Sequence, residues 1–374
     1  MVRDSERERV PLLRFVALGG FLGAGKTTTA LAAAERLTAR GQRVAVVTND
    51  QGSELVDTGL ASERVAAVGE VTGGCFCCRF DDLADVTLEL LGGGVDTILA
   101  EAVGSCADLQ ATVIRPLRAN LGDRLEVAPL TVVVDPLRYA DFELARAGGE
   151  VEADLEYLFR KQLEEADLIA LNKVDLSTPE ERSALRAVLE RRFPDGTVVE
   201  VSAATGEGMD DLLEHWGRPE PAAADLEIDY ERYGRAEARL AWGNFVFALE
   251  PLHGAGLAFE EWLLVFLQRV AAACREGGHR VGHVKARLES EQGAATGNLV
   301  SEAGPPVLAP GAAIHGRGVT ATVNGRVACA PEDLSSIVAT AAAEASRATG
   351  ANCRLTSESV FRPAQPVPVH RVPA

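Results

Sequence analysis

Residues 20–27 read Gly-Phe-Leu-Gly-Ala-Gly-Lys-Thr, which is a complete G-x-x-x-x-G-K-T phosphate loop. An apolar run, Leu12–Leu18, precedes this loop, and Thr27 begins a helical pattern that ends at Gly41. Glycines let such a loop turn its backbone N–H groups toward a triphosphate, and the helix N-terminus adds favourable partial charge. The sequence therefore predicts a nucleoside triphosphate site at a strand-to-helix turn, rather than a chance glycine-rich turn.

The residues of this loop have separate expected roles. Lys26 reaches the β- and γ-phosphates, and the hydroxyl of Thr27 holds Mg²⁺. The remaining contacts to the phosphates come from the loop and the residue after it: Gly20, Gly23, Ala24, Gly25 and Thr28.

A second motif, Asn172-Lys173-Val-Asp175, predicts which base is bound. A carboxylate at a strand end accepts hydrogen bonds from both N1–H and N2–H₂ of guanine, whereas adenine offers no such donor pair and leaves the carboxylate unpaired. Asn172 braces the loop, and the Lys173 stem lies along the base. Ser202 and Ala203 end the next strand, where a backbone N–H can reach the base oxygen. Asp175 as a simple helix cap before Pro179 is the alternative.

The magnesium-binding site is predicted from an apolar strand, Thr97–Glu101, that ends in an acidic residue and is followed by Gly104. Glu101 binds Mg²⁺ directly or through water, and the amide of Gly104 senses the γ-phosphate. No glutamine follows to orient a water molecule, so we expect slow intrinsic hydrolysis. The alternative is an ordinary exposed glutamate at a strand end.

Three cysteines, Cys75, Cys77 and Cys78, follow the glycines Gly73 and Gly74. Three thiols within four residues cannot all face one side of a strand or helix, but a glycine-containing loop can bring them together. Thiolates select soft or borderline ions such as Zn²⁺ or Cu⁺. The pattern predicts an open, exchangeable metal site, with buried small side chains or a redox pair as alternatives.

Composition narrows the class of protein. A chain of 374 residues with a net charge of −18 favours a soluble protein of about two domains, and it argues against nucleic acid or a membrane as partner. Because no apolar run reaches the length of a membrane span and the first residues are charged, we expect a cytoplasmic protein with reduced thiols.

The order of predicted elements indicates the fold. From residue 12 to about residue 217, β-branched runs alternate with helical patterns, which predicts an α/β nucleotide-binding domain with a mostly parallel sheet. The later β-α-β-β-β-α-β order predicts a smaller α+β, ferredoxin-like domain. The expected boundaries are a flexible tail at 1–10, the first domain at 11–217, a linker at 218–235, the second domain at 236–365 and a tail at 366–374.

Together these motifs resemble one family, the CobW-type GTPases, which are nucleotide-dependent metal chaperones. The matching segments are Gly20–Thr28, Gly73–Cys78, Glu101–Gly104 and Asn172–Asp175. The resemblance implies a GTPase that binds GTP, Mg²⁺ and a transition metal, Zn²⁺ first and Co²⁺ second. It also implies delivery of that metal from the three cysteines to a client metalloprotein. A GTP-dependent activator or metal sensor that carries no metal, and a P-loop kinase, remain open, as does the oligomeric state.

The sequence departs from the family pattern at three places: at residues 49–52, at residues 101–104, where Glu-Ala-Val-Gly replaces the more usual Glu-Thr-Thr-Gly, and in its six histidines, which are scattered and form no His-rich stretch. Where many members carry Asn-Glu-Phe-Gly, this chain has Asn-Asp-Gln-Gly at residues 49–52, so the carboxylate of Asp50, which joins Mg²⁺ through water, is one methylene shorter. Cys106 lies two residues after Gly104. We predict that Cys106 approaches the metal in the GTP-bound state as a fourth or exchanging ligand, and a buried core cysteine is the alternative.

Overall fold

The computed structural model describes residues 12–50, 56, 61–62, 65, 67–145, 150–218, 225–252, 259–309, 314 and 318–374. The tail expected at residues 1–10 lies outside this part of the chain, as do Gln51 and Gly52. The backbone of Asp50 ends a strand, but its side chain lies outside the described residues.

The first sheet has the strand–helix alternation that the sequence predicts. Its strands are Leu13–Gly19 (β1), Val44–Asp50 (β2), Ala67–Thr72 (β3), Thr97–Glu101 (β4), Leu125–Val127 (β5), Thr131–Val134 (β6), Leu168–Leu171 (β7) and Thr197–Glu200 (β8). They are ordered β3-β2-β4-β1-β6-β7-β8, and all described pairs are parallel. β5 adds to the first half of β1 and β6 to its second half. β3 and β5 are not among the strands predicted from sequence.

Helices pack on both faces of this sheet. They are Lys26–Ala39 (α1), Phe80–Gly92 (α2), Arg115–Leu121 (α3), Pro136–Ala145 (α4), Glu150–Glu164 (α5), Pro179–Arg192 (α6) and Met209–His215 (α7). α6 begins where its sequence predicts, because Thr178 and Glu181 form a reciprocal capping box around Pro179. The buried central strands carry their polar residues at their carboxyl ends, so the site lies along that edge.

The linker expected at residues 218–235 is a helix in its second half, Tyr230–Ala238 (α8). The carboxylate of Asp229 caps this helix by accepting hydrogen bonds from the N–H groups of Glu231 and Arg232 at 2.9 and 3.0 Å. Tyr233 and Ala236 are buried against Ala107 and Leu158 of the first domain. The expectation of a linker was therefore wrong for α8, because a short polar helix with one apolar stripe resembles a linker in composition.

The second domain is an antiparallel sheet with two helices. Its elements are Ala241–Pro251 (β9), Phe259–Glu276 (α9), Arg280–Ser290 (β10), Gly293–Leu299 (β11), Val307–Leu308 (β12), Val319–Ala328 (β13), Pro331–Thr349 (α10) and Ala351–Phe361 (β14). The sheet order is β12-β11-β10-β13-β9-β14. β14-β9-β13-β10 is the ferredoxin-like arrangement that the sequence predicts, extended by the β11–β12 hairpin. The core of this domain contains Trp262 and Phe266 of α9.

The last residues, 366–374, which were expected to be a tail, pack on the first domain. The N–H of Val372 donates to the carbonyl oxygen of Ala111 at 2.8 Å, and Nε of Arg371 donates to the buried carboxylate of Asp108 at 2.9 Å. We call residues 362–374 the C-terminal segment.

Among the described helices, none combines the length and the hydrophobicity that crossing a bilayer requires.

The second domain packs over the phosphate loop. Arg138 of α4 donates hydrogen bonds to the carbonyl oxygens of Val281 and Gly282 on β10, at 3.2 and 3.0 Å. From β13, the side-chain oxygen of Asn324 accepts from the N–H of Val56 at 3.0 Å. Strands β10 and β13 of the second sheet therefore both contact the part of the first domain that carries the nucleotide motifs.

Candidate nucleotide and metal site

The phosphate loop has the backbone shape that its glycines allow. Gly20 and Gly25 have φ angles of +124° and +99°, where side chains are strained. A Cβ at Gly20 would lie 2.3 Å from the carbonyl oxygen of Val133, so the loop is built closely against β6. Nζ of Lys26 donates to the carbonyl oxygen of Gly20 at 2.9 Å, which arches this side chain over the loop. The arrangement forms a cradle for a polyphosphate.

The predicted magnesium residues meet beside this cradle. Oγ1 of Thr27 donates to Oε1 of Glu101 across 3.0 Å, and both residues are buried. Mg²⁺ takes oxygen ligands at about 2.1 Å in an octahedron, so neighbouring ligands stand about 3.0 Å apart. The hydroxyl and the carboxylate therefore fit two adjacent positions around Mg²⁺. The third predicted residue, Asp50, is placed at the end of β2 by its backbone alone.

Gly104 lies directly against the phosphate loop. A Cβ at this position would lie 2.6 Å from Cδ2 of Leu22 and 3.1 Å from its backbone nitrogen. The carbonyl oxygens of Gly104 and Cys106 both accept hydrogen bonds from the side-chain amide of Gln162, at 3.0 and 2.8 Å. The segment after Glu101 is thus fixed at close range to the loop that it is expected to sense.

At the base end, Asn172 connects two loops. Its Nδ2 donates to the carbonyl oxygen of Ala24 at 2.9 Å, and its Oδ1 accepts from the N–H of Ala203 at 3.0 Å. Because the N–H of Ala203 serves this brace, it is not the donor to a base oxygen that the sequence predicts. Ser202 is fully buried, and its Oγ accepts from the N–H of Thr205 at 3.2 Å.

Lys173 and Asp175 flank the expected base position. Nζ of Lys173 donates to the carbonyl oxygen of Gly23 at 2.9 Å and to the carboxylate of Asp135 at 2.6 Å, so its stem lies across the phosphate loop. Asp175 is exposed on a short 3₁₀ turn that follows β7. An exposed carboxylate at the mouth of a braced pocket is able to bind the Watson–Crick edge of guanine.

The three predicted thiols converge. The Sγ atom of Cys75 lies 2.8 Å from that of Cys77 and 3.2 Å from that of Cys78, and the Sγ atoms of Cys77 and Cys78 are 3.8 Å apart. All three lie within 4.8 Å of one another, so one ion is able to contact them together. The thiol loop, residues 73–79, leads into α2, whose N-terminus favours negatively charged thiolates.

Asn49, at the end of β2, holds the thiol loop in place. Its Nδ2 donates to the carbonyl oxygens of Val71 and Gly74 at 2.9 and 2.8 Å, and its Oδ1 accepts from the N–H of Phe76 at 3.0 Å. Since β2 lies between β3 and β4, this brace connects the thiol loop to the strand beside Glu101.

Cys106 is fully buried, and its thiol influences the pKa values of Cys75 and Cys77, but it is not part of the group of three sulfur atoms that lie within 4.8 Å of one another. Hydrogen bonds from the neighbouring thiols, that of Cys106 first, lower the pKa of Cys75 well below its ordinary value. The pKa values of Cys77 and Cys106 are raised, chiefly because of their hydrogen bonds to neighbouring thiols of the cluster.

Several residues of the site carry no motif and were not predicted. Behind Cys106, Oγ of Ser105 donates to the carboxylate of Glu237 at 2.6 Å, and burial raises the pKa of Glu237 to about 8. The hydroxyl of Tyr233 accepts from the N–H of Ala107 at 3.0 Å. Both side chains come from α8, which the sequence presented as linker. In the second domain, Lys285 reaches Thr27, and no local pattern marks it.

Comparisons with known proteins identify the family of the first domain. The model of the family described as "CobW/HypB/UreG, nucleotide-binding domain" matches residues 14–200. A zinc chaperone CobW of Pseudomonas aeruginosa is 30% identical over 213 residues, which are 50% of this chain and 56% of that protein. A zinc chaperone YeiR of Escherichia coli is 34% identical over 181 residues, or 45% of this chain and 48% of that protein. The chain thus spans about half the length of these curated relatives.

A solved structure, that of Zn(II)-bound YjiA GTPase from E. coli, aligns with 89% of this chain and 98% of its own. The identity is 16% and the TM-score is 0.36, a similarity too low to define the fold.

Proposed function

Because the chain belongs to the CobW/HypB/UreG nucleotide-binding family, we propose that it is a GTP-hydrolysing metallochaperone. It binds GTP with Mg²⁺ in the first domain and one transition metal ion, zinc by preference, at Cys75, Cys77 and Cys78. On hydrolysis it releases this metal to a client metalloprotein. One observation carries the proposal: the sulfur atoms of Cys75, Cys77 and Cys78 lie within 4.8 Å of one another.

For the nucleotide half, each residue has a role that its contacts support. The cradle from Gly20 to Lys26 binds the phosphates, and Thr28 adds the first turn of α1. Thr27 and Glu101 hold Mg²⁺, which neutralises charge between the β- and γ-phosphates. Asp50 is assigned to the same ion through water. Asp175 selects guanine, while Asn172, Lys173, Ser202 and Ala203 shape the walls around the base.

For the metal half, the three sulfur atoms of the thiol loop supply soft ligands of the kind that Zn²⁺ binds. Zinc bound by thiolates is tetrahedral with Zn–S near 2.3 Å, so its sulfur ligands lie about 3.8 Å apart. Cys77 and Cys78 already have that separation, and the two shorter pairs lengthen when thiolates replace shared protons. Cys106 supplies the fourth ligand, from a separate segment of the chain.

The two halves are coupled through one stretch of backbone. Glu101, Gly104 and Cys106 follow one another within six residues, so a γ-phosphate contact at Gly104 moves Cys106 relative to the thiol loop. A fourth sulfur that is present with GTP and withdrawn after hydrolysis changes metal affinity between the two states. Moving from mostly loaded to mostly empty requires about 5 kcal/mol of difference in metal affinity. The relatives named zinc chaperones support zinc as the cargo.

The deciding experiment is titration of the full chain with Zn²⁺ in the presence of Mg²⁺ and a non-hydrolysable GTP analogue, then with GDP, then without nucleotide. We expect one tightly bound ion per chain with the analogue and weaker binding with GDP. A client is then identified by transfer of isotopically labelled zinc on GTP addition. Equal zinc affinity in all three forms would rule out the chaperone cycle, whereas tight binding without transfer would identify a metal sensor.

A further inference from the structure

We propose that Lys285, a residue of the second domain, completes the GTP site and stabilises the negative charge of the phosphoryl group during hydrolysis. Its Nζ atom donates a hydrogen bond to Oγ1 of Thr27 at 3.3 Å, from a strand 258 residues further along the chain. This inference rests on the proposed GTPase activity and adds to it a second cation, from the second domain, beside Lys26 of the phosphate loop.

The position of Lys285 is set by several contacts between the two domains. Gly282, three residues earlier on β10, packs so closely on the phosphate loop that a Cβ would lie 2.8 Å from Cδ1 of Leu22. Arg138 binds carbonyl oxygens of the same strand. On the neighbouring strand β13, Asn324 lies opposite Lys285 and binds the N–H of Val56. The lysine is thus presented by a docked and rigid surface.

The surroundings of Lys285 are those of an anion site. His283, two residues earlier, is partly buried, and its desolvation together with the charges of Lys285, Arg326, Lys26 and Arg138 lowers its pKa well below the ordinary value. Among the described residues, Nδ1 of His283 has no hydrogen-bond partner. A concentration of positive charge in a chain with a net charge of −18 indicates that the ligand of this interface is strongly negative.

The positions of the lysines in this chain also support an anion-binding role for Lys285. Of 37 basic residues other than histidine only four are lysines, Lys26, Lys161, Lys173 and Lys285. Lys26 and Lys173 both contact the phosphate loop, and Lys285 contacts the first helical turn beside it. Three of the four lysines therefore meet at one site, although they come from distant parts of the sequence. A compact ammonium is the cation suited to single phosphate oxygens, while arginine suits bidentate pairing.

The chemistry requires no change in the protonation of Lys285. The oxygen of water forms a bond to the γ-phosphorus as the bond from phosphorus to the β–γ bridging oxygen breaks. The electron pair of that bond remains on GDP, and the proton of water leaves with phosphate. Lys285 donates a hydrogen bond to the γ-phosphoryl oxygens, whose contact with the cation strengthens as charge is redistributed.

The test compares Lys285→Met with Arg280→Met. Arg280 begins the same strand, is exposed and carries the same charge, but it is not part of the proposed site. For each full-length protein, we would measure the affinity for GDP, the affinity for GDP with aluminium fluoride, which mimics the transferring phosphoryl group, and the GTP turnover rate. Lys285→Met should bind GDP as the wild type does, but it should lose about 10²-fold in turnover and in aluminium fluoride binding. Lys285→Arg should restore part of both.

Two results would overturn the inference. One is wild-type turnover and aluminium fluoride binding by Lys285→Met. The other is an equal loss of GDP and aluminium fluoride affinity in Lys285→Met, because that result would identify a structural contact between domains. A wild-type protein that neither binds nor hydrolyses GTP would instead refute the proposed function itself, so the two failures are distinguishable.

Discussion

The N–H of Val369 donates to the carbonyl oxygen of Cys77 across 3.0 Å, so the end of the chain is attached to the middle of the thiol loop. Nearby, the ring of His370 packs edge-on against Phe80 with centroids 5.0 Å apart. The C-terminal segment therefore lies against one side of the cysteine cluster.

We expect Val369→Pro to loosen this contact, because proline lacks the N–H that Cys77 accepts. Cys77 and Cys78 should react several-fold faster with a thiol reagent, and bound metal should be lost faster to a chelator. Val369→Ala keeps the N–H and is the matched control. Equal reactivity of the proline and alanine variants would show that the hydrogen bond does not restrict access.

Asp175→Ala should abolish the preference for guanine while leaving triphosphate binding in place. The wild type should bind GTP at least about 10²-fold more tightly than ATP, because only guanine satisfies the carboxylate. Competition of fluorescent GTP with ATP measures the ratio. Asp195→Ala removes an exposed carboxylate elsewhere and should leave the preference intact, whereas Lys26→Ala should lose both nucleotides. A wild type that binds ATP and GTP equally would contradict the guanine assignment.

Cys77→Ser or Cys78→Ser should remove the charge-transfer absorption of a Co²⁺–thiolate complex in the protein with Mg²⁺ and a GTP analogue. In the wild type, metal should tighten binding of the GTP analogue by the factor by which the analogue tightens metal binding, and such couplings are typically about 5–150-fold. Titrations in both orders measure the two factors. If the GTP analogue changed the metal affinity but the metal did not change the affinity for the analogue, the required reciprocity would fail and the coupling would be contradicted.

Cys106→Ser should weaken Co²⁺ binding and reduce thiolate absorption in the GTP-analogue form, with a smaller effect in the GDP form. The reason is that the buried thiol of Cys106, in the segment that follows Gly104, influences the pKa values of Cys75 and Cys77. Cys353→Ser, in the second domain, is the matched control. An unchanged Co²⁺ spectrum and affinity in both forms of the Cys106 variant would show that this residue is a buried core cysteine and not a metal ligand.

Glu165→Gln should make the protein less sensitive to alkaline pH. Glu165 is fully buried, its pKa is raised well above the ordinary value by burial, and one oxygen accepts from the N–H of Gln110 at 3.1 Å. The folded state thus keeps a proton that the unfolded state loses above its lower pKa. Stability is therefore present at low pH and falls, by up to about 1.4 kcal/mol per unit, as pH rises toward the folded pKa.

Urea unfolding of the wild type and the Gln variant at about pH 5.5, 6.5 and 7.5 checks this expectation. Glutamine keeps the acceptor for Gln110 but cannot ionise, so the stability of the variant relative to the wild type should increase across the series. A constant difference between the two proteins would mean that Glu165 does not titrate on unfolding.

The sequence determined the parts whose chemistry is local. The phosphate loop, the Asn172–Asp175 motif and the thiol loop each require a short run of residue types on one turn, and the parallel sheet follows from alternating patterns. Thr97–Glu101 has the bounds predicted from its apolar run. The structure brings together Thr27 and Glu101, and likewise the three cysteines, as these motifs predict.

Only the tertiary structure decided the contacts between segments distant in sequence. Short polar segments such as α8 and the C-terminal segment have no pattern that reveals what they cover, because one buried tyrosine or one backbone hydrogen bond leaves no period in a sequence. The approach of Lys285 to Thr27 depends on how two domains dock, and the sequence of neither domain encodes that placement locally. Burial and docking are properties of the whole fold, which is why Glu237, Lys285 and Val369 became visible only there.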